Sequence, residues 1–142
     1  MAKGEARFDA IEHTADVGYR LFAPTLAELF AIAGRALFAT ITDIESIAPA
    51  LSRKISVSAA DPEGLLVGWL AELNYRFLTA HELFGDFSVE DLTPTSIRAV
   101  ASGEHVDLSR HDIHTEIKAV TYHGLYLRQS PEGWEAQVIF DV

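Results

Sequence analysis

Residues 11–22 read IEHTADVGYRLF and contain the first joint between two strand-like segments. Residues 8–12 predict a short strand, and the polar run EHTAD that follows predicts a turn. Beyond the turn, apolar side chains recur at every second position from Val17 to Leu21, which is the period of a strand with one buried face. The turn itself carries two acids, a histidine and a threonine, so this joint also bears side chains capable of chemistry.

Two helices are predicted farther along the chain. The first is capped by Thr25, with Glu28 three residues later in a capping box. The second follows Asp61 as N-cap, with Pro62 at the first helical position. Apolar residues at helical spacing give each helix one buried stripe, and we expect Trp69 to lie in the core.

The remaining sequence favours β structure. Residues 42–53 predict a loop and 55–59 a half-buried strand, and further strands are expected at 84–90, 96–102, 115–123, 124–130 and 134–141. Few crossovers are available, so most pairing should be antiparallel. We therefore expect one α+β domain over residues 1–142, mostly antiparallel β-sheet with two main helices packed on it.

Composition narrows the classes of function. The formal net charge is −10 and the 11 basic residues are scattered, which disfavours direct, stable binding to nucleic acid and suits a cation or a basic protein partner. There is no cysteine, so thiol chemistry is excluded, and no apolar run approaches the roughly 20 residues of a membrane span. The first residues, MAKGEARFDA, contain no apolar segment typical of a signal peptide. We expect a cytoplasmic protein without membrane association.

The last residues bring several hard oxygen ligands together. Asp141 follows the core-facing Phe140, so its side chain should point to the other face of the strand, and Val142 adds backbone and carboxylate oxygens. Such oxygens bind Ca²⁺, Mg²⁺ or Mn²⁺, and one more acid would complete a site. Asp16 or Glu12 could supply that acid if the first turn lies beside the last strand. On residue chemistry alone, a solvated Asp141 remains the alternative.

Four of the six histidines lie between residues 105 and 123. His111, His114 and His123 allow a zinc interpretation, but neither cysteine nor an HExxH pair accompanies them. The alternative is that these histidines hydrogen-bond the loops between strands.

Lys118 lies within the predicted strand 115–123, with Glu116 and Tyr122 on the same face. A lysine at such a position is usually exposed to solvent, but near carboxylates it could orient a metal ligand or contact a phosphate. Nucleotide-binding and serine-nucleophile motifs (the P-loop, GxGxxG and GxSxG) do not occur in the sequence.

Taken together, the motifs resemble those of the archease family. They are FDAIEHTADVG, TLAELF, DPEGLLVGWL, GEHVDLSRH, EIKAVTYH and the terminal VIFDV, in this order from Phe8 to Val142. The resemblance implies an α+β fold and a non-catalytic partner of the tRNA-splicing RNA ligase, which promotes guanylylation of that ligase and its multiple turnover.

The resemblance also implies roles for particular residues. It places a divalent cation (Ca²⁺, or Mg²⁺ or Mn²⁺ in function) on Asp16, Asp141 and a backbone oxygen of Val142, and it gives Lys118 a part in ligase activation. We expect Glu12, His13 and His123 to hydrogen-bond and orient these groups. Two alternatives stay open: a metal-dependent phosphoester hydrolase that uses Asp16 and the histidines, and a general chaperone or interaction module without metal.

Overall fold

Two antiparallel sheets and two long helices make up the computed structural model, which describes residues 5–11 and 16–142. The strands are β1 Arg7–Ile11, β2 Asp16–Ala23, β3 Leu51–Ser58, β4 Glu82–Thr93, β5 Ser96–His105, β6 Ala119–Ser130 and β7 Gly133–Asp141. The helices are α1 Leu26–Ile41 and α2 Pro62–Ala80, and a short 3-10 helix covers Ile44–Ser46. One sheet has the strand order β1-β2-β7-β6 and the other β3-β5-β4. The predicted α+β class is confirmed, although the strands divide between two sheets rather than forming one.

Both helices begin where the sequence predicts. The Thr25 hydroxyl accepts a hydrogen bond from the Glu28 N–H at 3.2 Å, and the Asp61 carboxylate accepts one from the Gly64 N–H at 2.6 Å. These side chains satisfy backbone donors that have no partner within the first turn of a helix. Farther along, the Trp69 indole donates to the Phe30 carbonyl at 2.9 Å, which ties the two helices together inside the core.

The helices join the two sheets around one hydrophobic core. α1 packs on β2 and β4, one strand from each sheet, and α2 packs on β6 and β3 in the same way. The largest fully buried side chains come from both helices and both sheets: Trp69, Phe30, Phe38, Phe84 and Phe140. The prediction that Trp69 is a core residue is therefore confirmed.

Two predicted segments differ from the structure. The loop predicted at 42–53 contains the 3-10 helix, and β3 already begins at Leu51. Residues 119–123 and 124–130, predicted as parts of two strands, form the single strand β6, because both halves pair with β7, whereas residues 115–118 precede the strand. The register shifts between Thr121 and Tyr126, and Gly124 adopts a φ of +67° within that bulge. Glycine tolerates this conformation, so it permits a bulge where the sequence predicted a boundary between two strands.

The pairing of β2 with β7 fixes which side chains face the core. Val17 lies opposite Phe140 and Leu21 opposite Ala136, and these residues contribute to the core. Side chains alternate between the faces of a strand, so the intervening residues point to the other side. We call that side of the four-stranded sheet its outer face.

Candidate functional site

Asp16 and Asp141 lie directly opposite each other on β2 and β7. Both occupy the outer face, since their neighbours Val17 and Phe140 face the core. Directly opposite residues of an antiparallel pair have Cβ atoms about 4.5–5.5 Å apart, and like charges in that arrangement repel. The juxtaposition that the sequence left open is thus present: an acid from the first turn region lies beside the last strand.

Lys118 lies on the other side of Asp141. Ala119, the first residue of β6, pairs with Asp141, and the backbone N–H of Lys118 donates to the Asp141 carbonyl at 2.7 Å. Lys118 is therefore not within a strand as predicted but immediately precedes one, and it is exposed. Its side chain therefore departs from the residue next to Ala119, which pairs with Asp141.

The oxygens gathered at this end of the sheet are chemically suited to a hard cation. We call Asp16, Asp141 and the main-chain oxygens of Val142 the acidic corner. The two carboxylates are half-buried, as is Val142. Within residues 5–11 and 16–142, no group of three or more histidine, aspartate or glutamate side chains is placed to hold a metal. A cation at the acidic corner would therefore use main-chain oxygen in addition to the two carboxylates, a ligand mixture typical of Ca²⁺.

Of the three residues expected to orient the ligands, one is described. His123 is exposed in the bulge of β6, where its N–H donates to the Thr121 hydroxyl at 3.3 Å. Thr121 pairs with Ile139, two residues before Asp141, so the bulge lies beside the acidic corner. Glu12 and His13 lie outside the described residues, so their predicted roles stay predictions.

The histidines of residues 105–114 have other roles. His111 is buried, and its Nδ1 accepts a hydrogen bond from the backbone N–H of Asp107 at 2.8 Å. The proton must then sit on Nε2, which donates to the Glu104 carboxylate at 2.9 Å. Both ring nitrogens are engaged, and His114 instead lies 3.8 Å from the Asp112 carboxylate. His111 thus matches the alternative of loop hydrogen bonding, and no described histidine belongs to a group that could hold a metal.

Glu104 connects three segments through one buried carboxylate. It accepts hydrogen bonds from the Ala48 backbone, from the guanidinium of Arg110 and from His111. Burial alone would raise the pKa of Glu104, but these hydrogen bonds outweigh it and lower the pKa to about 2. The GEHVDLSRH motif accordingly has a structural role: its hydrogen bonds hold the loop after α1 against the loop before β6.

Sequence reasoning missed Asn74, which lies in the buried stripe of α2 and is 5% exposed. Its Nδ2 donates to the Ile117 carbonyl at 2.8 Å, directly before Lys118. The sequence did contain a signal for it: a polar residue within the apolar stripe of an amphipathic helix indicates a buried hydrogen bond, because buried amides usually have a hydrogen-bond partner.

Fold and site together define a small, acidic α+β protein with a paired-carboxylate corner at one sheet end. The chain belongs to the archease family, since the model for the Archease protein family matches residues 8–142. Among its relatives, "Protein archease" of Methanosarcina acetivorans is 39% identical over 140 residues, covering 96% of each chain. "Protein archease" of Methanopyrus kandleri is 38% identical over 138 residues, covering 95% of this chain and 99% of the relative.

Solved structures agree with this assignment. The solution structure of Protein 1598 from Methanobacterium thermoautotrophicum has a TM-score of 0.78 and 27% identity, covering 95% of this chain and 98% of that one. A Thermotoga maritima crystal structure, described as an archease and possible chaperone, has a TM-score of 0.65 over 93% of this chain and 94% of its own. At 19% identity, that likeness concerns the fold alone. Both named relatives are called archease, and the Thermotoga maritima structure is described as a possible chaperone and not as a catalyst. No described helix is long and apolar enough to cross a membrane.

Proposed function

We propose that this protein is a non-catalytic activator of the tRNA-splicing RNA ligase and that it works through a divalent cation held at the acidic corner. The observation that carries the proposal is the cross-strand pairing of Asp16 with Asp141. Two acids at directly opposite positions of an antiparallel pair can offer their carboxylate oxygens to one cation, so the arrangement favours a cation.

The residues of the corner have separate tasks. Asp16 and Asp141 would hold the cation through carboxylate oxygens, with Val142 adding a main-chain oxygen. Ca²⁺ fits this mixture best, and Mg²⁺ or Mn²⁺ could replace it in function. Once bound, the cation supplies positive charge that can stabilise phosphate oxygens. Lys118 would extend that positive charge by one ammonium, aimed at a carboxylate or phosphate of the partner.

The partner fits the charge of the chain. A net charge of −10 repels an RNA backbone but favours docking on the basic surface of an enzyme that handles RNA. The protein would then act in the cytoplasm by contact with the ligase and not with the RNA.

The test is ligase guanylylation, measured with and without this protein. Asp16→Asn and Asp141→Asn each remove one charge from the corner with little change of shape. Asp9→Asn is a matched control, because Asp9 lies on the outer face of the same sheet, opposite Arg20, with its side chain 56% exposed. We expect stimulation to fall at least tenfold for the first two variants and to stay at the wild-type level for the control. Full stimulation by both corner variants would remove the metal-site role.

The general chaperone alternative predicts a different result. Such a protein would suppress aggregation of unrelated proteins, and a chelator would not change that suppression. If the stimulation is confined to one ligase and is lost in chelator, the alternative fails.

A further inference from the structure

One peptide group links α2 to the acidic corner. The carbonyl of Ile117 accepts a hydrogen bond from Asn74 Nδ2 at 2.8 Å. The N–H of the same peptide unit, which belongs to Lys118, donates to the Asp141 carbonyl at 2.7 Å. The peptide 117–118 is therefore held from both sides, by a helix side chain and by the last residue of β7.

The orientation of Asn74 follows from these contacts. Its amino group must face the Ile117 carbonyl, because a flipped amide would place two oxygens against each other. Its Oδ1 is buried and has no hydrogen-bond partner among the described residues. A buried acceptor without a partner destabilises the fold. The hydrogen bond from Asn74 to the Ile117 carbonyl offsets that cost, which explains why an amide occupies this core position.

The geometry points to Asn74 as a positioning residue for the acidic corner. This inference rests on the proposed function. By fixing the 117–118 peptide, Asn74 sets the point from which the Lys118 side chain departs and holds the Asp141 main chain that leads to Val142. Hydrogen bonds in series polarise one another, so the donation from Asn74 strengthens the bond from Lys118 to Asp141. Residues behind metal ligands commonly change metal affinity 10- to 100-fold.

Asn74→Leu tests the inference, because leucine has a similar size and suits the apolar stripe of α2 but cannot donate to Ile117. Asn74→Ala, which loses the donor and introduces no charge, serves the same purpose if the leucine variant does not fold. Val67→Ala is the control, since Val67 is 7% exposed on the same helix and takes no part in the hydrogen bonds around Ile117. All variants are compared with Ca²⁺ as the probe, at a temperature where circular dichroism shows each to be folded.

Two readouts separate positioning from general destabilisation. Calorimetry should give a Ca²⁺ affinity about tenfold weaker for Asn74→Leu and unchanged for Val67→Ala. Amide exchange of Lys118 should accelerate in Asn74→Leu relative to the amide of Ala59, which donates to Thr95 in the turn between β4 and β5. In Val67→Ala the two amides should keep their wild-type ratio.

Asp141→Asn distinguishes the possible failures. If it abolishes Ca²⁺ binding while the Asn74 variants bind like the control, the positioning role of Asn74 is overturned and the proposed function stands. If Asp141→Asn binds Ca²⁺ like the wild type, the metal site itself fails, and with it the inference.

Discussion

Replacing Asp141 by asparagine should stabilise the protein in chelator and destabilise it, relative to the wild type, in a saturating cation. Without metal, Asp16 and Asp141 are directly opposite residues of β2 and β7, where like charges repel, and asparagine removes one of the two charges at nearly constant shape. With metal, the same substitution removes one of the proposed ligands. The order of stability of the two proteins should therefore reverse when the cation is added.

The size of each effect follows from the pairing. Two unit charges about 5 Å apart interact by roughly 0.8 kcal/mol at the dielectric constant of water and about 3 kcal/mol at an effective value of 20. Both carboxylates are half-buried and Lys118 lies nearby, so we expect a gain of about 1 kcal/mol, or roughly 3 °C in Tm. At a cation concentration of 100 Kd, the wild type should gain about 2.7 kcal/mol, or roughly 8 °C.

Thermal unfolding followed by circular dichroism measures both effects. Wild type, Asp141→Asn and the control Asp9→Asn are each melted in chelator and in a Ca²⁺ series. The control should shift with Ca²⁺ as the wild type does. The reasoning is refuted if Asp141→Asn melts below the wild type in chelator, or if Ca²⁺ raises its Tm as much as that of the wild type.

Three further predictions concern Lys118, Glu104 and Gly124. Lys118→Gln should bind Ca²⁺ as tightly as the wild type or more so, because a neighbouring positive charge is removed, but should stimulate ligase guanylylation less; calorimetry and the guanylylation assay measure the two effects. The pKa of Glu104 is lowered from 4.5 to about 2, so its charged form stabilises the fold above about pH 4.5 by about 3 kcal/mol, and this contribution is lost as the pH falls towards 2. Urea unfolding should therefore show the largest difference in free energy of unfolding between Glu104→Gln and the wild type at pH 7, and a smaller difference at pH 3. Gly124→Ala should lose about 1–2 kcal/mol in the same assay, because Gly124 has a φ of +67° and an added Cβ would lie 2.9 Å from Ile139 Cδ1; an unchanged free energy of unfolding would contradict this.

Local chemistry made the helices and most strands predictable. Thr25 and Asp61 mark the helix starts through side chains that accept from backbone donors a few residues away, so short-range sequence contains the whole interaction. The bulge of β6 was not predictable in this way. Gly124 is compatible with a chain reversal or with a bulge, and only the pairing of both flanking segments with β7 decides between them.

The candidate site was likewise predictable only in part. Asp16, Asp141 and Lys118 could be singled out by residue type and by resemblance, but their distances depend on strands far apart in sequence. The role of Glu104 was hidden for the same reason, since its partner Ala48 lies 56 residues away and contributes only a backbone N–H. No side-chain pattern reveals a main-chain partner that lies so far away in the sequence.

The pairing register of β2, most of which lies within the stretch IEHTADVGYRLF, with β7 determines both which side chains enter the core and which acids form the acidic corner. Val17 opposite Phe140 faces the core, and Asp16 opposite Asp141 faces outward. A slip of one residue between these strands would bury the acid and expose the apolar side chain, because the side-chain period of a strand is two. Burial of Val17 and Phe140 therefore stabilises the register that places two acids directly opposite each other. A cation bound at the acidic corner, as proposed, would therefore gain affinity from a strand register that the core has already imposed.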